Sequence, residues 1–437
     1  MAPQAYFHIV STPSAYNREH KPEGVWLECL DKLSASRWGR VQLVALRVLV
    51  VDTGANILPF FGEDEDFLPT SSNLRFDSYS HPSESGFWQL KEDRESIQAL
   101  FDLVKGPAAD DKVTQIVRAE YALNHAYGRS LAVIWAAMNR LCLLSQTNDS
   151  LTAADDDNED DIGGGAISSP TSSPLRGGMD LKLGPSLALT DEQRPKRQAN
   201  QPSASSYNRE ELAAIIGASS PPDEPPTSSQ QFIPEEEAAS SPNWSEDLTH
   251  RFVSEFIRHV LLHLPQEQWS NDDVIDFDDH KLSLCCRIGQ TAYNSIDDGG
   301  LYLVKDCVDR IGRVAILETK RALGTIVDGK PVLSDERFAQ MIGQALSIRK
   351  QASQVWAWPK DTIFIIVAAR YYIRFLEVHI TDEYIDQLEV RQEHEQPAAE
   401  FIRVKATKWF DLREKRSRRY AIVNIAGIVK HALPRYR

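Results

Sequence analysis

Apolar residues along this chain fall into two blocks separated by a polar interval, and within each block their spacing assigns elements. Residues 40–51, RVQLVALRVLVV, are rich in β-branched side chains and end on Asp52, Thr53 and Gly54, which predicts a buried strand closed by a turn. Residues 91–105 and 113–145 carry apolar positions three and four apart, so two helices follow, the second long enough to run along a whole domain. A helix is predicted over 245–264, with Ser245 at its start and Leu248 inside it. Strands follow at 281–288, 301–304 and 313–317, a helix at 335–354 through Phe338, Ile342 and Leu346, and strands at 362–369 and 372–380. The segment TIFIIVAA is almost wholly apolar, as a central strand covered on both faces must be. This order predicts an α/β sandwich on a small mixed sheet over 244–437, preceded by an α+β unit over 1–145 with its own core.

Composition changes the picture in the interval. Residues 146–243 turn to Ser, Pro, Gly and acids, including DDDNEDD and SSPPDEPPTSS, and predict a disordered linker. Inside it, Arg194, Lys196 and Arg197 form a basic patch, and a capped helix is predicted from Asn208 with Leu212, Ile215 and Ile216 on it; protein partners recruited through this linker are an expectation. The formal charge of −15 argues against a surface uniformly basic for nucleic acid, yet Arg403, Lys405, Lys408, Arg413, Lys415, Arg416, Arg418 and Arg419 gather near the C-terminus. The five cysteines form no C-x-x-C pair, which fits a reducing compartment. The first ten residues lack the pattern of a secretory signal, and no apolar run spans a bilayer, so a soluble intracellular protein is expected, the Pro/Ser-rich tether and the basic patch favouring the nucleus over the cytoplasm.

Candidate chemistry concentrates in SIDDGGLYLVKDCVDRIGRVAILETKR, residues 295–321. Cleaving a phosphodiester by in-line attack of water requires cations to neutralise developing charge and a group to orient the water. Mg²⁺ takes oxygen ligands and keeps several waters, so one or two carboxylates suffice to hold it. Asp298 before one strand and Glu318 at the end of an antiparallel neighbour are placed to meet, and Lys320, two residues on, shares the face of Glu318.

An acidic residue ahead of a strand, a hairpin, an apolar strand ending in E-x-K and then a helix resemble the PD-(D/E)XK nuclease superfamily, with ILETKR matching its E-x-K half. The resemblance covers roughly residues 244–432. It implies a restriction-endonuclease-like fold, a Mg²⁺- or Mn²⁺-dependent nuclease activity, and nucleic acid as partner, DNA ahead of RNA. It casts Asp298 and Glu318 as metal-binding carboxylates, Lys320 as the catalytic lysine, Glu255 as the acid of the preceding helix, and Gln344 or Gln340 as the glutamine of the following one. The Pro of the family motif is missing, since Ile296 and Asp297 precede Asp298; Asp297 is therefore a second metal candidate, and Asp306 and Asp309 stay open as alternatives. A catalytically silent nuclease fold that only binds is the rival expectation.

Three weaker patterns remain. Glu255, His259 and His263 fall at four-residue steps that suit zinc but read first as a polar helix stripe. Asp272, Asp273, Asp276, Asp278 and Asp279 read as a solvated acidic loop. Trp409 and Phe410 beside the basic run suit a nucleic-acid backbone and a plain core position equally well.

Overall fold

The computed structural model describes residues 4–20, 34–62, 94–107, 120–152, 246–264, 273–288, 291–320, 325–327, 330–357, 360–390 and 400–433. Residues 146–152 of the predicted linker are helical instead, and the rest of it, with its basic patch and its short helix, lies outside the described residues. Two short helices, α1 (Tyr6–Ile9) and α2 (Pro13–Glu19), precede α3 (Arg40–Ala45) and strand β1 (Val48–Ala55). Helices α4 (Pro59–Gly62), α5 (Arg94–Lys105), α6 (Glu120–Tyr127) and α7 (Arg129–Thr152) follow. After α8 (Glu246–His263) come β2 (Val274–Asp278), the pair β3 (Ser283–Ile288) and β4 (Thr291–Ile296), then β5 (Gly300–Lys305), β6 (Asp309–Lys320) and the short β7 (Thr325–Val327) and β8 (Lys330–Val332). The chain continues through α9 (Asp335–Lys350), α10 (Ala352–Val355), β9 (Thr362–Ala369), β10 (Tyr372–His379), α11 (Asp382–Val390), β11 (Ile402–Thr407), β12 (Phe410–Asp411) and α12 (Lys415–Ala432).

The main sheet is mixed, in the order β1-β11-β10-β9-β6-β5-β2, with β12 paired to β10. Strands β2, β5 and β6 form an antiparallel meander; α9 then carries the chain across to β9, which runs parallel to β6 and pairs antiparallel with β10. Every residue of β9 is buried, which is why its sequence lacks polar alternation. Helix α9 starts where the Ser334 hydroxyl accepts from the Arg337 amide, with Asp335 and Glu336 in its first turn and Arg349 and Lys350 in its last, complementing the helix dipole at both ends.

Four expectations need correction. The apolar run at 40–51 is not one strand: Gly39 and Gln42 start a helical turn, Arg47 adopts φ 54°, and only from Val48 does the chain extend. Leu43, Val44 and Leu46 are buried either way, and apolar periodicity in so short a run does not separate the two states. The N-terminal segment does not keep a core to itself, since β1 is the parallel edge partner of β11 in the same sheet. The Tyr6 hydroxyl donates to Val48 O at 2.8 Å, the Tyr6 amide to Asp335 Oδ1 at 2.6 Å, and Phe7 packs edge-on to Phe338 of α9. Residues up to Ala154 and from Ser241 onward thus form one compact unit. The acidic stretch is not a loop either: Val274–Asp278 is a sheet strand whose Ile275 and Phe277 enter the core, while Asp273 accepts from the Asp306 amide and Asp278 pairs with Arg310 at 2.7 Å. Asp272 lies outside the described residues. The second predicted helix is in fact two, broken at Gly128 with φ 77°.

Candidate active site

Two glycines bring the acidic turn against β6. Gly299 has φ 123°, and a Cβ there would lie 2.6 Å from Asp278 O; one on Gly300 would lie 2.2 Å from Ala315 O. Without side chains, the backbone closes up: the Asp298 amide donates to Leu317 O at 3.0 Å and the Leu317 amide to Gly299 O at 2.8 Å. The Asp298 side chain is thereby held beside the end of β6, where its Oδ2 accepts from the Thr319 amide at 2.8 Å and the Thr319 hydroxyl at 2.9 Å. Its Oδ1 accepts from Lys281 Nζ at 3.1 Å. His250 Nε2 lies 2.7 Å from Asp298 O, and because a carbonyl only accepts, that nitrogen carries the proton. Burial alone would raise the Asp298 carboxyl, but the Thr319 amide and hydroxyl with the Lys320 and Lys281 ammonium groups outweigh it and hold it below the usual carboxylate range.

Glu318 is 1 % exposed. Its two oxygens are held by α9: Gln340 Nε2 donates to Oε1 at 2.7 Å and Gln344 Nε2 to Oε2 at 2.5 Å, while Lys320 forms an ion pair with Oε1. Gln344 Nε2 also reaches Ile296 O at 2.7 Å, tying the helix to the strand end that precedes the acidic turn. Burial pushes the Glu318 carboxyl up to about 7; the nearby Asp298 charge adds to the rise, and Lys320 and the Gln344 hydrogen bond oppose it. Lys320 is itself buried and lies 3.7 Å from Glu246 Oε1 at the start of α8.

Asp298, Glu318, Lys320, Gln340 and Gln344 are therefore brought together, and the structure adds Lys281, His250 and Glu246, which the sequence reading left out. None of these three sits on a periodic apolar face, so the sequence carries no signal for them beyond residue type. Asp297 is not brought in. Its Oδ1 accepts from the Leu282 and Gly299 amides at 2.7 and 3.1 Å and pairs with buried Arg313 at 3.3 Å. Burial still pushes Asp297 up to about 7 despite the Arg313 charge. Glu255 is a correction too. It pairs with Arg258 at 3.5 Å, and nine residues of helix separate it from Glu246, about 13 Å along the axis. Asp306 and Asp309 lie at the hairpin end of β6, about 30 Å from Glu318 at strand rise, and drop out as alternatives.

Among the described residues no three His, Cys, Asp or Glu side chains gather as a metal-binding group. Mg²⁺ needs fewer, because it binds through one or two carboxylates and keeps its waters. Gln340 Oε1 and Gln344 Oε1 are buried acceptors with no donor among the described residues, and waters on a cation at Glu318 are donors. All available atoms are oxygen. Asp298 and Glu318 are oxygen donors of the kind a hard divalent cation takes.

The zinc-like spacing on α8 resolves differently. Ser130 Oγ lies 2.8 Å from His259 Nδ1, and His259 Nε2 donates to Ala99 O at 3.2 Å, so the imidazole stitches α5, α7 and α8 together in its neutral form. Burial pushes it down to about 4. A depressed histidine contributes stability that is complete above the unfolded value near 6.5 and is lost as pH falls towards the folded value. Urea unfolding at pH 4.5 is therefore expected to show about 2–3 kcal/mol less stability than at pH 7 from this residue, a difference that disappears in His259→Leu.

The basic C-terminal run is partly structural. Arg418 is buried and donates to the Val104, Lys105, Leu412 and Arg413 carbonyls, Arg413 grips Asp411, and Lys405 pairs with Glu377. Lys415 and Arg416 remain exposed, and among the described residues no helix is long and apolar enough to cross a membrane. No protein-family model matches the chain, and a search of curated proteins finds no significant similarity.

Proposed function

We propose that the protein is a Mg²⁺- or Mn²⁺-dependent nuclease of restriction-endonuclease-like fold that hydrolyses phosphodiester bonds of DNA or RNA at Asp298, Glu318 and Lys320. The observation that carries this reading is the burial of two mutually repelling carboxylates and a lysine at the end of one core strand, with two glutamines spent on orienting one of them. Buried charge is costly, and a fold that only needed a strand end would not retain it. The succession of helix, three antiparallel strands, crossing helix and parallel strand agrees with the proposed fold.

Asp298 and Glu318 would hold the cation, which supplies neutralisation of the charge that gathers on phosphorus and acidifies water. Lys320 holds three donors beside Glu318 and orients the attacking water or the non-bridging oxygens. Gln340 and Gln344 fix the carboxylate so that it does not turn away when charge changes. Water's oxygen bonds to phosphorus as the P–O ester bond breaks, the attacking water gives its proton to solvent, and the leaving ester oxygen takes a proton from solvent to leave as an alcohol.

A specific observation favours a second reading, a silent nuclease fold that binds without cleaving: Lys281 and Lys320 already offset the charges of Asp298 and Glu318. Cleavage of labelled single- and double-stranded DNA and RNA with Mg²⁺ or Mn²⁺ decides between them. Cleavage by the purified chain that is lost in Glu318→Ala and Lys320→Ala upholds the enzyme; binding without cleavage of any substrate sinks it in favour of the silent fold.

A further inference from the structure

Arg374 on β10 is 4 % exposed, yet only its Nε is hydrogen-bonded, to Thr407 O at 2.6 Å, and no carboxylate pairs with it among the described residues. Its guanidinium lies between two rings, 4.4 Å from the centroid of Phe7 and 5.5 Å from that of Trp409. Burial without an opposing charge pushes it down to about 9. The indole Nε1–H of Trp409 is buried and has no acceptor among the described residues either. Exposed His8 packs edge-on to Phe7, 5.4 Å between ring centroids, the ring on which Arg374 lies, and burial with the Arg374 charge depresses its imidazole. Three donor-bearing side chains therefore gather with no acid among them. Buried polar groups need partners, and a donor cluster with none on the described chain is open to water or to an anion from outside.

The position of this cluster gives it a use. Glu318 is in register with Val367, and Val367 with Arg374, so all three side chains leave the same face of the sheet on successive strands. That is the face covered by α9, since Phe7, which packs on Arg374, also packs on Phe338. Two strand spacings separate Glu318 from Arg374, about 10 Å.

The geometry points to a phosphate-binding site formed by Arg374, Trp409 and His8, separate from the carboxylate centre. A guanidinium presents paired N–H groups that match two oxygens of a tetrahedral phosphate, and a flanking indole N–H and imidazole supply further donors. That this phosphate belongs to the same nucleic-acid strand whose ester meets Glu318 rests on the nuclease reading; the site itself does not.

The test uses the full chain carrying Glu318→Ala, without divalent cation, so that cleavage plays no part. Inorganic phosphate is expected to raise its melting temperature beyond chloride at equal ionic strength. Arg374→Met, which keeps a long apolar stem between Phe7 and Trp409, is expected to weaken phosphate binding by about 10- to 100-fold. Trp409→Phe, which keeps the ring and removes only the N–H, is expected to weaken it by about tenfold. An equal shift with chloride, or phosphate binding unchanged in both variants, overturns the site. A fluorescent single-stranded oligonucleotide then separates the sources: displacement of inorganic phosphate at far lower concentration upholds a backbone phosphate as the ligand, and no displacement overturns the role in substrate binding while leaving a site for free phosphate. If no nucleic acid is cleaved by the unmodified chain but the phosphate-dependent shift persists and is lost in Arg374→Met, the nuclease reading fails and the phosphate site stands.

Discussion

Lys320→Met is expected to cut phosphodiester cleavage by about 10²- to 10³-fold, the cost of removing one positioned donor from developing negative charge. Methionine keeps the buried stem and removes the ammonium, so packing against the strand end is retained. Glu318 then loses its cation while keeping its hydrogen bonds from Gln340 and Gln344. With a buried carboxylate less compensated, the folded state without metal is expected to melt lower, and added Mn²⁺ to restore more stability in the variant than in the unmodified chain. Glu318→Gln is a poorer control than it looks: it presents an amide N–H₂ where the donors of Gln340, Gln344 and Lys320 converge. Glu318→Ala avoids that clash of donors, and in it Mn²⁺ is expected to give no stabilisation at this site. Single-turnover rates with calorimetric melting, with and without Mn²⁺, check both. A Lys320→Met enzyme that cleaves at the unmodified rate would remove this lysine from the chemistry.

The centre of the sheet was legible because burial there is two-sided. The apolar stretches ending in Glu318 and Ala369 have no solvent face, so their sequences contain almost nothing but core residues until the strand ends. The same logic exposed Glu318 and Lys320, since charges closing an apolar strand must have partners. What sequence did not carry is sheet order across long separations. The partner of Val48–Ala55 lies some 350 residues onward in Ile402–Thr407, and neither strand's pattern names the other. Ile402–Thr407 alternates buried and less buried positions, but its Arg403 and Lys405 drew it into a basic run. Val274–Asp278 was hidden in the same way by its acids, although Ile275 and Phe277 keep the period of two. Within the site, Glu255 and Glu246 are alike in type and helix; only the direction in which α8 approaches β6 selects Glu246. Lys281 and His250 enter from a loop and a helix face through their contacts with Asp298, which no local spacing encodes.

Asp297 and Asp298 are adjacent and chemically equal, yet the turn between β4 and β5 gives them different partners, and Asp297 depends on Arg313. Arg313 is 1 % exposed; it pairs with Asp297, donates to His280 O and lies 5.5 Å from the Tyr302 ring centroid. Arg313→Met leaves Asp297 buried without a counter-charge, and Asp297 Oδ2 already lacks a hydrogen bond among the described residues. Breaking a buried pair from one side costs about 3–5 kcal/mol, so this variant is expected to lose that much in urea unfolding. Asp297→Asn costs less, because its side-chain oxygen still accepts from the Leu282 and Gly299 amides. In the double variant the uncompensated charge is gone, so it is expected to be more stable than Arg313→Met alone, with a coupling of about 1–3 kcal/mol. The same two variants separate structure from chemistry. Asp297→Asn is expected to retain divalent-cation binding, whereas Asp298→Asn, which replaces an acceptor facing the Thr319 amide, the Thr319 hydroxyl and Lys281, is expected to lose it. Equal loss of cation binding in both would return Asp297 to the site from which its hydrogen bonds now exclude it.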